Sequence, residues 1–335
     1  MTEHTAPAPK ALDLWPPLPG LLVSAALALT ATLIWEVTGR PALFSPMVLA
    51  MVAGILLRNT VGLPASLSPG MALSMKPVLR LGIVLLGFRL TLGDLIAVGP
   101  AGLAMIVIVL FSTFFLVRFV GRLLGVGNKL SELIAAGTSV CGASAVMGVN
   151  TVTRGSDEDV AYAIACVTIF GSLSMLLFPV LMPLTGFDDH AFGLWTGSAL
   201  HEVAQAVGAG FSVSDTAGET ATIAKLTRVM LLAPLILGLG LVRNVEGGAQ
   251  KAPIPWFVFG FLAVAALNSV ITLPSELRSA LLTASTFFLT MALGAMGMET
   301  HLKRLLQKGP RPLLLGAIGW VFIASAGAIG TSLIL

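Results

Sequence analysis

Charge is what this chain has least of. Only 10% of its 335 residues are Asp, Glu, Lys or Arg, against about 25% in a soluble domain. That scarcity excludes a water-soluble globular fold and leaves no room for a separate catalytic domain. Cysteine is nearly absent too. Cys141 and Cys166 both sit in apolar stretches, offer no metal-binding spacing and are not expected to form a disulfide. There is no HExxH, Walker A, GxSxG or Cys-x-x-Cys motif, so the expectation is a protein that is not an enzyme, holds no metal or cofactor and does not pump with ATP. A formal charge of +3 is no nucleic-acid signal either.

What fills the chain is apolar sequence, 56% of it, punctuated by 36 glycines and 19 prolines. A helix needs ~20 residues to cross a bilayer. Apolar segments lie near 17–36, 43–58, 74–97, 100–121, 129–151, 157–184, 190–211, 217–243, 253–272, 279–299 and 311–334. The reading is an all-α polytopic membrane protein with 9–11 transmembrane segments, its partner the lipid bilayer. Residues 1–16 are polar and Pro-rich and read as a flexible tail. Residues 17–335 read as one transmembrane domain, whose first segment is an anchor rather than a cleaved signal.

Basic residues sort by loop and orient the chain. With the N-terminus cytoplasmic, Lys10, Arg58, Arg118, Arg122, Lys129, Arg243, Lys251, Lys303, Arg304, Lys308 and Arg311 fall inside, while Arg40, Arg89 and Arg278 fall outside with the C-terminus.

An internal echo runs at a spacing of 210. Leu63-Pro64, Leu67, Gly87, Leu92, Leu95, Gly99-Pro100 and Leu103 recur as Leu273-Pro274, Leu277, Gly297, Leu302, Leu305, Gly309-Pro310 and Leu313. Such symmetry marks transporters built from repeats. The loops of the two copies fall on opposite sides, so the copies are inverted. A second pair, GTSVCGASA at 137–145 and GSALHEVAQ at 197–205, precedes long helices carrying Leu-Leu-x-Pro up to Pro179 and Pro234. These two units share the inversion only if 129–151 and 190–211 are re-entrant hairpins; full crossings with unwound centres are the alternative. Either way a core at 129–243 with discontinuous helices is expected to lie between repeat arms at 43–121 and 253–334, and its interruptions near the midplane, where transporters place their sites.

The candidate site follows. Gly142 lets the backbone turn, Thr138, Ser139 and Ser144 supply hydroxyls, and a half-helix starting near Gly142 aims its N–H groups at an anion. His201, Glu202 and Gln205 lie within an apolar stretch, where ionisable groups are costly. His201 and Gln205 share a helical face and suit substrate binding; His201 and Glu202 suit coupling to H⁺ or Na⁺. Lys225 and Arg228 share a face of the next helix. They call for an anion, or for Glu202 or Glu219, unless they snorkel to the interface. Arg80, Asn59, Asn150, Asn268 and Glu299 are weaker candidates. Gly316, Gly319, Gly327 and Gly330 offer a small-residue face for a homodimer or for internal packing.

KPVLRLGIVLLGFRL at 76–90, GTSVCGASAV at 137–146, GSALHEVAQAVGAG at 197–210 and KLTRVMLLAP at 225–234 closely resemble a widespread bacterial family of conserved membrane proteins described as sulfate exporters. That family is grouped distantly with cation/proton antiporters and with bile-acid and carboxylate sodium symporters. The resemblance runs from about residue 40 to the C-terminus. It implies an inner-membrane secondary transporter with inverted repeats and a core of discontinuous helices. The expected activity is alternating-access transport of a small anion, sulfate or a related oxyanion or sulfonate, by way of Thr138, Ser139, Gly142, Ser144, His201, Gln205, Lys225 and Arg228. The alternatives are a sodium- or proton-coupled carboxylate carrier, a cation/proton antiporter (for which Glu202 is the one good carboxylate), an anion channel, or a non-transporting sensor.

Overall fold

The computed structural model describes residues 16–39, 45–242, 255–301 and 309–334. The N-terminal tail to residue 15, Lys10, Arg40, Arg243, Lys251 and the cluster Lys303, Arg304 and Lys308 lie outside the described residues.

Helices account for the described architecture: α1 (Leu18–Val37), α2 (Pro46–Thr60), α3 (Ser68–Leu73), α4 (Leu79–Leu86), α5 (Leu92–Ala97), α6 (Gly99–Leu123), α7 (Asn128–Ser139), α8 (Ala143–Thr153), α9 (Asp157–Thr185), α10 (Asp189–Ala199), α11 (Val203–Phe211), α12 (Asp215–Met230), α13 (Leu232–Val242), α14 (Trp256–Val270), α15 (Ser275–Glu299) and α16 (Pro310–Ile334). α3 and α4 join into one rod, Ala65–Arg89, and α12 and α13 into another, Asp215–Val242. Among the described residues seven rods are long and apolar enough to cross a membrane, and α2 and α14 are shorter apolar helices. The protein is a multi-pass all-α membrane protein.

One expected segment is redrawn. The stretch 74–97 is not a single helix: the rod begins earlier, at Ala65, and stops at Arg89. Pro77 is absorbed by a π turn at Ser74–Val78, which keeps the rod continuous although proline donates no N–H. Thr91 and Asp94 then close a reciprocal capping box that starts the separate α5.

The echo at 210 is structural. Trp256–Val270 is Pro46–Thr60 advanced by 210 positions, Ser275–Glu299 is Ala65–Arg89 advanced likewise, and Pro310–Ile334 answers Gly99–Leu123. Their directions are inverted. α6 and α16 are antiparallel, since Gly121 sits against Leu315, Gly319 against Val117 and Gly330 against Met105. The α3–α4 rod and α15 are antiparallel, tied by Ser285 Oγ to Gly82 O at 2.7 Å and by Ser68 Oγ to Glu299 Oε1 at 3.2 Å. α2 runs with α15 so closely that a Cβ on Gly54 or Gly297 would strike the other helix's backbone. α14 runs with α4, Asn268 donating to Leu90 O at 3.0 Å.

Both interruptions in the core are re-entrant hairpins. At the base of the first, Lys129 Nζ donates to Arg154 O at 2.7 Å and Thr153 Oγ1 to Glu132 Oε1 at 2.5 Å, so α7 enters and α8 returns to the same side. In the second, Gly193 of α10 and Gly210 of α11 both lie against Ala217 of α12, and α11 retraces α10. α9 links the two bases. Its 29 residues rise about 43 Å, so the bases lie on opposite sides. We call the side of the first base side 1 and that of the second side 2. Ser156 and Asp188, accepting from Asp159 N and Ala191 N, cap the starts of α9 and α10. The described positions of the small-residue face on α16 serve internal packing: Gly316 meets Cys166 and Phe170, and Gly327 meets Ser198 and Trp195.

Candidate functional site

The two hairpin tips meet in the protein interior, and helix-end accounting explains how. A helix leaves its last carbonyls and first amides without intrahelical partners. Four such ends converge here: the C-terminal ends of α7 and α10 and the N-terminal ends of α8 and α11.

Lys225 and Arg228 serve the C-terminal ends. Both are completely buried, which removes the snorkelling alternative. Lys225 Nζ donates to Val140 O at 2.8 Å and Leu200 O at 2.5 Å. Arg228 Nε donates to Ser139 O at 3.2 Å, Nη2 to Thr138 O at 3.1 Å and Ser139 O at 2.5 Å, and Nη1 to Leu200 O at 2.8 Å and Gly197 O at 3.4 Å. A guanidinium has five N–H groups and an ammonium three. Arg228 is therefore fully committed, and Lys225 keeps one donor. Two cations sit where two helix dipoles end in partial negative charge, which offsets the repulsion between them.

Glu202 serves the N-terminal ends. Its Oε1 accepts from Ala143 N of α8 at 2.7 Å. Glu202 also forms a capping box with Gln205 of α11, in which Gln205 Oε1 accepts from Glu202 N at 3.1 Å. Gly142 makes this possible. It has φ +64, and a Cβ there would fall on the Glu202 carboxylate. Gly171 of α9 plays the same part for Gln205, whose Nε2 donates to Thr168 O at 3.2 Å.

The predicted site residues thus converge, in unequal roles. Thr138 and Ser139 contribute their carbonyls, Gly142 its conformation, and Gln205 a bracket for Glu202. Ser144 is exposed on the first turn of α8, where its amide has no intrahelical acceptor. His201 is 0% exposed, between Leu200 and Glu202, and neither ring nitrogen has a hydrogen-bond partner. Glu219 does not join the pair. It faces Arg89 at 3.6 Å, and Arg89 also meets Asp215 at 3.0 Å. Asn59, Asn150 and Asn268 bond to backbone groups, and Arg80 lies 5.9 Å from the Phe257 ring.

Sequence reasoning missed three kinds of contributor. Val140 and Leu200 act through carbonyls, which no side-chain pattern reports. Glu132 is buried at the first base, where Arg118 reaches it at 3.2 Å; its position in an apolar stretch was a usable signal. Gly171 looked like one small residue among many.

Among the described residues no cluster of His, Cys, Asp and Glu could hold a metal ion. The arrangement is that of a polytopic membrane protein with inverted re-entrant hairpins meeting at a buried charged junction. The chain belongs to the family described as conserved hypothetical protein 698, which it matches over residues 19–316. It is 40% identical over 339 residues to a UPF0324 membrane protein of Pseudomonas aeruginosa, covering 95% of this chain and 94% of that protein. It is 39% identical over 333 residues to UPF0324 inner membrane protein YeiH of Escherichia coli K12, covering 94% of each. A UPF0324 membrane protein of Bordetella bronchiseptica is 38% identical over 296 residues, or 85% of this chain and 92% of that one.

Proposed function

We propose that this protein is a secondary transporter of a small oxyanion, sulfate or a related sulfonate, working by alternating access in a bacterial inner membrane. The observation that carries the reading is the junction itself. Two cations and one carboxylate are buried where oppositely directed half-helices meet, leaving one net positive charge at a depth where charge is costly. A monoanion balances that charge, and a dianion does so together with one proton. Lys225 offers one free donor, Arg228 its field, and α8 its unpaired first-turn amide at Ser144.

Alternating access is supported by an asymmetry between the two hairpins. α8 exposes Ser144, Met147 and Thr151 along one stripe, whereas Val203–Gly210 of α11 is wholly buried against α9, α12, α15 and α2. On side 2 the Arg89 guanidinium meets Asp215 and Glu219 and lies 4.9 Å from the Phe211 ring. On this reading side 2 is the closed side, and exchanging the roles of the two inverted hairpins gives the opposite state. Arg58, Arg118, Arg122, Lys129, Arg154 and Arg311 gather on side 1, with Arg89 and Arg278 on side 2, which favours a cytoplasmic side 1, N-terminus inside and C-terminus outside. The name of the Escherichia coli relative supports the inner membrane.

Cation exchange fits less well. Glu202 is the carboxylate at the junction, and its ligands are N–H donors. The test is uptake of radiolabelled sulfate into proteoliposomes holding the purified protein, with and without a pH gradient. Saturable, gradient-dependent uptake supports a carrier. Far faster, non-saturating flux would make it a channel. No flux from folded protein under any gradient would retire sulfate transport.

A further inference from the structure

Glu202 occupies the meeting point of the two half-helix N-termini. Its carboxylate accepts from the Ala143 amide of α8 at 2.7 Å and is boxed with Gln205 over the first-turn amides of α11. These are the donors that the helix dipoles direct at an anion. The place is built for a carboxylate-sized group, because a Cβ on Gly142 would fill it. Beside it lies His201, fully buried with both ring nitrogens unpartnered.

We infer that Glu202 is a tethered competitor of the transported anion, holding both helix ends while the site is empty and releasing them, protonated, when an oxyanion binds. The inference rests on the anion reading above. Charge decides the stoichiometry. With Glu202 ionised, Lys225 and Arg228 leave the junction with one positive charge. A doubly charged oxyanion added to that would leave one negative charge in a buried site. A proton on Glu202 brings the total to zero. The proton comes from the open aqueous side and resides on a Glu202 oxygen; the anion takes the amides of Ala143 and Gln205. One proton therefore travels with each dianion. The charged and titratable groups facing Glu202 are Lys225 of α12 and Cys141 of the first tip; Arg228 and the chain neighbour His201 face Lys225 and each other, and His201 is the rival carrier of the proton.

The experiment measures binding of radiolabelled sulfate to the purified full-length protein in detergent across pH, with proton uptake followed by an indicator dye in weak buffer. The native protein should bind about tenfold tighter for each unit fall in pH, the slope of one linked proton. It should also gain an infrared band of a protonated carboxyl on adding sulfate. Glu202→Gln should bind with a flat pH profile, take up no proton and lack the band. Where that variant does not fold, proton uptake and the infrared band of the native protein still decide. Binding by native protein without proton uptake overturns the inference and leaves the anion reading standing. So does a slope kept in Glu202→Gln but lost in His201→Asn, which would put the proton on His201. Failure of folded native protein and folded Glu202→Gln to bind sulfate at any pH overturns the sulfate reading, and the inference with it.

Discussion

Removing the Arg228 head group should destabilise the whole protein, not only a binding site. In Arg228→Met the Leu200 carbonyl keeps Lys225 as a donor, and the Gly197 contact at 3.4 Å is marginal. The Thr138 and Ser139 carbonyls lose their Arg228 donors. Leaving a buried carbonyl unsatisfied costs about 1–3 kcal/mol, so two cost about 2–6 kcal/mol. Relief of repulsion with Lys225 works the other way but cannot restore a donor. Domains are stable by about 5–15 kcal/mol, so the loss is a large share. At about 2 °C per kcal/mol for a chain of this size, the melting midpoint should fall by roughly 4–12 °C. Cys141 and Cys166 are 2% and 1% exposed, so a thiol-reactive fluorogenic dye reads unfolding directly in detergent. Arg228→Lys should fall between, because one ammonium cannot reach both α7 and α10 as a planar fork does. An Arg228→Met protein that melts with the native one would refute the helix-end accounting. It would also return Arg228 to the role of a direct anion ligand.

Other expectations follow from the same geometry. Ser144→Cys in reconstituted vesicles should react with a membrane-impermeant thiol reagent from side 1, while Ala206→Cys on buried α11 stays protected; equal labelling would remove the asymmetry between hairpins. Arg89→Ala should barely change the melting midpoint, since partly exposed ion pairs contribute about 0–1 kcal/mol each, but it should raise labelling of Ala206→Cys from side 2; unaltered labelling would mean that Arg89 does not hold that side shut. Gly54→Ala should destabilise by about 1–3 kcal/mol, because the new Cβ meets the α15 backbone, whereas Gly238→Ala meets nothing within 4 Å and should be neutral or slightly stabilising; dye-monitored melting checks both.

Much of the fold was legible because it follows from local rules. Apolar length announced the rods, and the 210-residue echo carried over to paired helices because both copies obey the same steric demands at Leu-Pro and Gly-Pro corners. The segment expected at 74–97 was displaced, because the rod starts at Ala65 and runs through Pro77 by way of a π turn before stopping at Arg89. His201, Glu202, Lys225 and Arg228 stood out since ionisable groups in apolar sequence are rare, and all four meet at the junction. Their partners were not legible. Lys225 and Arg228 donate to carbonyls between 25 and 90 positions away along the chain, and backbone acceptors leave no trace in a string of side chains.

By itself the amino-acid sequence determined the membrane as solvent, the rough extent of most of the rods, the internal echo and the identity of the ionisable groups in apolar sequence. Each of these depends on composition, spacing or residue type alone. Only the tertiary structure decided that 128–153 and 189–211 are hairpins, through Lys129 on Arg154 and Gly193 and Gly210 on Ala217. It alone decided that Arg228 spends every donor on helix ends, and that the Glu202 carboxylate reaches the Ala143 amide of the other hairpin. The reason is that apolar sequence reads the same whether a helix crosses or turns back. What separates the two is which distant backbone groups come close enough to need a partner.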